Sequence, residues 1–131
     1  AHDNLSPTMS KLIIMNHVKE GLELAKKYKL TPVLRDFIQQ HHGSSLVYYF
    51  YRRALEGKEE NQEVSEEGFR YPGPKPTTKE SAIVLLADSV EAATRALKDP
   101  TPDKIEELIK IKSLNNMPRN TMFDNLLKNK R

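Results

Sequence analysis

Lys79-Glu80-Ser81-Ala82-Ile83-Val84-Leu85-Leu86-Ala87-Asp88-Ser89-Val90-Glu91-Ala92-Ala93 decides the fold class. Ala82, Leu85, Leu86, Ser89 and Ala93, with Leu97 beyond them, recur three and four residues apart. That spacing lines one face of a helix. Thr77, with Glu80 three residues on, has the form of a capping box, so a helix is expected over 79–98. Upstream, Ile14, Val18, Leu22 and Ala25 form a second stripe, with Met15 beside it.

The punctuation between such stripes is legible. Ser6-Pro7, Thr31-Pro32 and Thr101-Pro102 each set a capping hydroxyl before a proline. A helix opens readily there, because the first turn cannot use the N–H that proline lacks. Helices are therefore expected over 7–28, 32–42, 46–56 and 102–112, with a further short one near 120–129. Val47-Tyr48-Tyr49-Phe50-Tyr51 is aromatic enough for a strand. Its continuation into Arg52-Arg53-Ala54-Leu55-Glu56 favours a helix, and the chain reads as all-α. The long connection over 57–76 begins polar and acidic and ends Tyr71-Pro72-Gly73-Pro74-Lys75-Pro76, where three prolines impose an extended path.

The 131 residues suit one compact domain. With 37% hydrophobic and 30% charged residues, the composition is that of a soluble domain. A formal net charge of +3 favours an anionic ligand slightly and does not diagnose nucleic acid. Without cysteine there is neither a disulfide framework nor a thiolate metal site, which fits a reducing compartment. No apolar run approaches the roughly 20 residues that span a bilayer, and no signal peptide is visible. Opening on Ala1, the sequence reads as part of something longer.

Several polar residues sit where apolar ones belong. His17 has Ile13, Ile14 and Gly21 as its helical neighbours, so its ring is expected along the edge of the buried stripe rather than in solvent. Gly21 in mid-helix costs about 1 kcal/mol relative to alanine, which suggests a close approach to the backbone there. His41-His42 closes the second helix before Gly43; side chains of adjacent helical residues diverge by about 100°, so one shared ion is awkward. Asp88 lies among Val84, Leu85 and Ala92, an expensive position for a carboxylate without a cation. Each has a bland alternative: a hydrogen-bonded core histidine, a cationic pair at the negative end of a helix, an aspartate paired with Arg95 or Arg53. Together they are groups of the types that bind Mn²⁺, Fe²⁺ or Zn²⁺.

Asn4-Leu5-Ser6-Pro7, Asn16-His17-Val18-Lys19, Gln40-His41-His42-Gly43, Tyr71-Pro72-Gly73-Pro74-Lys75-Pro76 and Ala87-Asp88-Ser89-Val90-Glu91-Ala92 occur in this order over about residues 2–110. In content and order they resemble the seven-transmembrane HD-domain phosphodiesterases, within the HD-domain metal-dependent phosphohydrolases. The resemblance implies a helical HD-domain-like bundle of which 1–112 is the C-terminal portion, with 57–76 as a loop insertion and 113–131 as a tail without legible structure. It implies metal-assisted hydrolysis of a cyclic dinucleotide, cyclic di-AMP to pApA, by two divalent ions, Mn or Fe with Zn also admitted. His17, His41, His42 and Asp88 would be metal ligands, with a phosphate contact as an alternative for the histidine pair. Tyr71, Lys75 and Lys79 are expected, from loop position and charge, to shape the substrate pocket. The parent would be a bacterial inner-membrane protein with this domain in the cytoplasm. Its partners would be its own membrane and sensor segments, and no nucleic-acid polymer.

The departures matter. His2-Asp3 is followed by Asn4-Leu5-Ser6-Pro7, whereas the family's metal-binding dyad is followed by Ile-Gly-Lys or similar. His2 and Asp3 are therefore expected to support the site rather than ligate, with the dyad itself upstream of Ala1. Beyond about Lys110 the resemblance fades. Two rival readings use the basic residues instead. One is a non-catalytic helical module that binds a nucleotide or a protein through Arg52, Arg53, Lys75 and Lys79. The other is a nucleic-acid binder that uses Lys128, Lys130 and Arg131.

Overall fold

The computed structural model describes residues 5–116, with side chains to 113. Among the described residues five helices follow one another: α1 (Pro7–Lys27), α2 (Pro32–Gln40), α3 (Tyr48–Glu56), α4 (Lys79–Arg95) and α5 (Pro102–Asn116). A 3-10 turn at Glu67–Phe69 interrupts the long connection. The described residues contain no strand, only an isolated antiparallel bridge between Leu46 and Arg70. The all-α expectation is met, and the aromatic run is indeed helical. No described helix is long and apolar enough to cross a membrane. The short helix expected near 120–129 lies outside the described residues, as do His2, Asp3 and the basic residues of the tail.

Boundaries differ from expectation for identifiable reasons. Ser6 caps α1 as expected, its hydroxyl accepting from the Met9 amide at 3.2 Å. At α4 the cap is Thr78, not Thr77, and its hydroxyl accepts from the Ser81 amide at 3.1 Å. Thr77 is occupied elsewhere: its amide and hydroxyl donate to the buried Gln40 carboxamide at 3.0 and 3.3 Å. Helix α2 stops at Gln40, two residues short of expectation. The Gly43 amide turns back to the Gln40 carbonyl at 2.9 Å while Gly43 takes a φ of 53°, the left-handed conformation that ends helices. Helix α4 ends at Arg95, short of 98, and α5 runs past 112 to Asn116.

Packing follows the stripes. Helix α1 lies against α2 and α3, α2 against α4, and α4 against α5. Ala25, Phe50, Phe69, Tyr71, Ala82, Leu85 and Leu86 are buried. Two close approaches hold the site-bearing elements together. A Cβ at Gly21 would lie 2.9 Å from Ile38 Cγ2, so the missing side chain sets the α1–α2 spacing. A Cβ at Gly43 would lie 3.0 Å from Leu85 Cδ1, so the turn after His42 rests directly on α4. Met9, Leu12, Ile13 and Leu24 of α1 are exposed, a second apolar face that the described residues leave uncovered.

The second half of the 57–76 connection is pinned. The Val47 amide donates to the Phe69 carbonyl at 2.7 Å and the Tyr71 amide to the Ser45 carbonyl at 2.9 Å. Lys11 lies over the Phe69 ring at 4.5 Å and donates to the Gly68 carbonyl.

Gly21→Ala tests the α1–α2 seam. Helix propensity alone would stabilise it by about 1 kcal/mol. The stiff, branched Ile38 cannot withdraw its Cγ2 cheaply, so a net loss of stability in urea denaturation is expected. A net gain would show that the seam is looser than drawn.

Candidate metal centre

Two elements deliver three imidazoles to one point. His17 comes from the middle of α1, and His41 and His42 from the turn that ends α2. His17 Nε2 is 3.2 Å from His41 Nε2 and 3.0 Å from His42 Nε2. One ligand atom from each of the three lies within 4.8 Å of the others. The expectation that adjacent histidines would diverge assumed a helix through residue 42. Because α2 stops at Gln40, the His41 and His42 rings lie 4.0 Å apart, tilted by 41°, and both turn toward His17.

The outer nitrogens define the chemistry. His17 Nδ1 meets the Ile14 carbonyl and His41 Nδ1 meets the Ile38 carbonyl at 2.7 Å. A carbonyl only accepts, so each Nδ1 carries the hydrogen and each Nε2 presents its lone pair inward. His42 Nδ1 faces the Asp88 carboxylate at 3.3 Å, which favours the same tautomer. Three acceptor nitrogens then converge without a donor among them. A divalent cation satisfies all three, and imidazole nitrogens backed by carbonyl and carboxylate groups are the arrangement such ions take. The residues present fit a metal.

Burial, with the neighbouring His41 and His17, lowers the His42 pKa from 6.5 to about 4. At neutral pH the contact with Asp88 therefore joins a carboxylate and a neutral ring, and His42 remains a competent ligand. The Tyr71 ring stacks on His42 with centroids 4.3 Å apart and planes within 17°. Burial and the nearby Asp88 charge push the Tyr71 hydroxyl up to about 12, so it stays a hydrogen-bond donor at neutral pH.

Of the residues singled out from sequence, His17, His41 and His42 meet, and Asp88 and Tyr71 adjoin His42. His17 is exposed, contrary to expectation, because the Ile13 and Leu24 side of α1 is uncovered. Asp88 is half-exposed and lies against His42, not against Arg95 or Arg53. Arg95 pairs instead with Glu91. Lys75 and Lys79 are exposed and do not line the groove of about 800 Å³ that opens beside His42, Tyr71 and Asp88. The basic pair of the rival module is engaged locally: Arg52 pairs with Glu56 at 3.7 Å, and Arg53 lies over Tyr49. Sequence reasoning missed Gln40, whose carboxamide ties the end of α2 to the start of α4. Its position just before two histidines was the available signal.

Comparison with known proteins adds an independent finding. The cyclic-di-AMP phosphodiesterase PgpH of Bacillus subtilis is 49% identical over 109 residues, 83% of this chain and 15% of that protein. Its Listeria monocytogenes counterpart is 47% identical over 108 residues, 82% of this chain and again 15% of the relative. The crystal structure of the Listeria PgpH HD domain in complex with cyclic di-AMP superposes with a TM-score of 0.79 at 44% identity. That match covers 87% of this chain and 52% of the other. No protein-family model matches the chain.

Two outcomes are expected. Mn²⁺ or Zn²⁺ at about 100 times its dissociation constant should stabilise the chain by roughly 2.7 kcal/mol in thermal melts. His17→Ala should remove most of that shift, and a wild-type chain indifferent to both ions would refute the centre. The second outcome concerns pH. The unfolded chain protonates His42 as pH falls through 6.5, but the folded chain resists until about 4. That contribution to stability is therefore present above 6.5 and lost on acidification toward 4. The metal-free melting temperature of His42→Asn should fall less steeply than wild type between these values.

Proposed function

We propose that this chain, which belongs to the HD-domain phosphohydrolases, supplies one side of a metal centre that hydrolyses a cyclic dinucleotide, cyclic di-AMP to pApA. The observation that carries the reading is the meeting of three Nε2 lone pairs at one point, with no donor between them. His17, His41 and His42 would hold the ions, and Asp88 would close the ligand set from its place beside His42. Divalent ions, Mn or Fe with Zn as an alternative, would supply Lewis-acid polarisation of the phosphodiester and a water activated at neutral pH. The chain's own residues orient and shield. Asp88 and the two backbone carbonyls fix the imidazole tautomers. Tyr71 covers one face of His42 and keeps its hydroxyl as a donor toward substrate oxygens. Lys75 of the Pro-rich segment and Lys79 at the start of α4 would meet the outer edge of the nucleotide, with His2 and Asp3 in support.

Two nearly octahedral ions need about six protein groups, more than these four. The chain spans 15% of the length of the PgpH relatives and about half of the HD-domain crystal chain. In this reading the missing ligands come from elsewhere in the full-length protein. Exposed Ile13 and Leu24, on either side of exposed His17, are the kind of apolar surface such a segment would cover. The HD portion, 1–112 with the remainder of α5, would then be a cytoplasmic part of a bacterial inner-membrane protein whose other segments are its partners.

Comparing cyclic di-AMP hydrolysis with added Mn²⁺ by this chain and by the complete HD domain tests the reading. The complete domain should turn over substrate and lose both metal and activity on Asp88→Ala, while the chain alone should show little turnover. Vigorous hydrolysis by the short chain would refute the missing-ligand argument. An inert complete domain would refute the enzymatic one.

A further inference from the structure

The groove of about 800 Å³ beside His42 and Asp88 has two features that the hydrolytic centre leaves unused. Tyr48, the first residue of α3, and Lys112 of α5 line it together with the small side chains Ser89, Ala92 and Ala93 of α4. Tyr48 is 62% exposed, and no ring or cation among the described residues packs on it. The adjacent Tyr49 differs: Phe50 meets it edge-on and Arg53 lies over its face. A phenol ring left in water beside a groove offers a flat apolar face at little conformational cost.

The charges are distributed as unevenly. Arg70, which also lines the groove, is fully committed. Its Nη2 pairs with Glu66, its Nε lies 3.6 Å from Glu67, and its Nη1 donates to the Ser44 carbonyl at 3.2 Å. Lys112 has no ion pair among the described residues, although Lys104 and Lys110 on the same helix are paired with Asp99 and Glu106. The acid of the groove, Asp88, lies against His42. An unneutralised ammonium and an unstacked aromatic ring thus share one groove with the candidate metal centre.

We propose that this groove holds the distal half of the cyclic dinucleotide, with Lys112 pairing with the second phosphate and Tyr48 stacking on a base. The inference rests on the hydrolytic reading above and adds to it the residues that select a ligand with two phosphates and flat bases. While one phosphodiester lies at the histidines, the ring closure of a cyclic dinucleotide carries the second away from them. It then needs a cation of its own. Base–aromatic stacking tolerates any base, so Tyr48 would set affinity for the nucleotide more than the choice between purines.

The test uses the full-length protein loaded with Mn²⁺ and two substrates, cyclic di-AMP and bis(p-nitrophenyl) phosphate, a single diester without bases. Lys112→Gln and Tyr48→Ala should each lower the ratio of kcat/KM for cyclic di-AMP to that for the small diester about tenfold, equivalent to about 1.4 kcal/mol. Lys112→Arg and Tyr48→Phe should restore most of it. If cyclic di-AMP is hydrolysed and both ratios stay within about twofold of wild type, the distal site is wrong while the hydrolytic reading stands. A lowered melting temperature with an unaltered ratio also overturns it, because Tyr48 then packs on protein. A wild-type protein that binds Mn²⁺ but cleaves neither ester overturns the hydrolytic reading, and this inference with it.

Discussion

Neutral imidazoles cannot satisfy one another when every inward nitrogen is an acceptor, and the arrangement around His17, His41 and His42 follows from that constraint. The Ile14 and Ile38 carbonyls and the Asp88 carboxylate hold the hydrogens on the outer nitrogens. The price is a cluster of lone pairs 3.0 to 3.2 Å apart that only a proton or a cation relieves. Burial and the neighbouring rings resist the proton at His42, which leaves a cation as the better partner. The electrostatics that would destabilise an empty core thereby prepare a site for a divalent ion.

Much of the surrounding fold serves that convergence. Gly21 lets α2 approach α1 closely, Gly43 lets the chain turn against Leu85, and Gln40 locks the end of α2 to the start of α4. None of the three touches the point where the imidazoles meet. Each removes a degree of freedom that would otherwise let one ring swing away, and preorganised ligands lose less entropy on binding. The Ser45–Tyr71 and Val47–Phe69 backbone bonds extend the same logic to the loop, since they bring Tyr71 onto the His42 ring. Half of a long connection thus becomes a fixed wall of the groove.

The outer face of α1 runs against the usual economy of a small domain. Met9, Leu12, Ile13 and Leu24 lie in solvent while Ile14, Val18, Leu22 and Ala25 turn inward. Two apolar faces on one helix suit an element packed on both sides, and the relatives, of which this chain spans 15%, have ample further sequence. His17 sits on the edge between the two faces, where ligands from both sides could reach an ion.

Reading the residues alone was enough for the all-α class and for the starts of α1, α2, α4 and α5, and it singled out His17, His41, His42 and Asp88, which the fold brings side by side. Helical periodicity and proline-led caps are local properties, so nearby residues determine them. The rotation of the histidine pair was not local. It depended on where α2 stops, at the left-handed turn of Gly43, which rests against Leu85 of α4. The exposure of His17 and the contact of Asp88 with His42 were likewise decided by which helices pack together. Sequence spacing specifies the face of a helix, but only tertiary packing determines what that face meets.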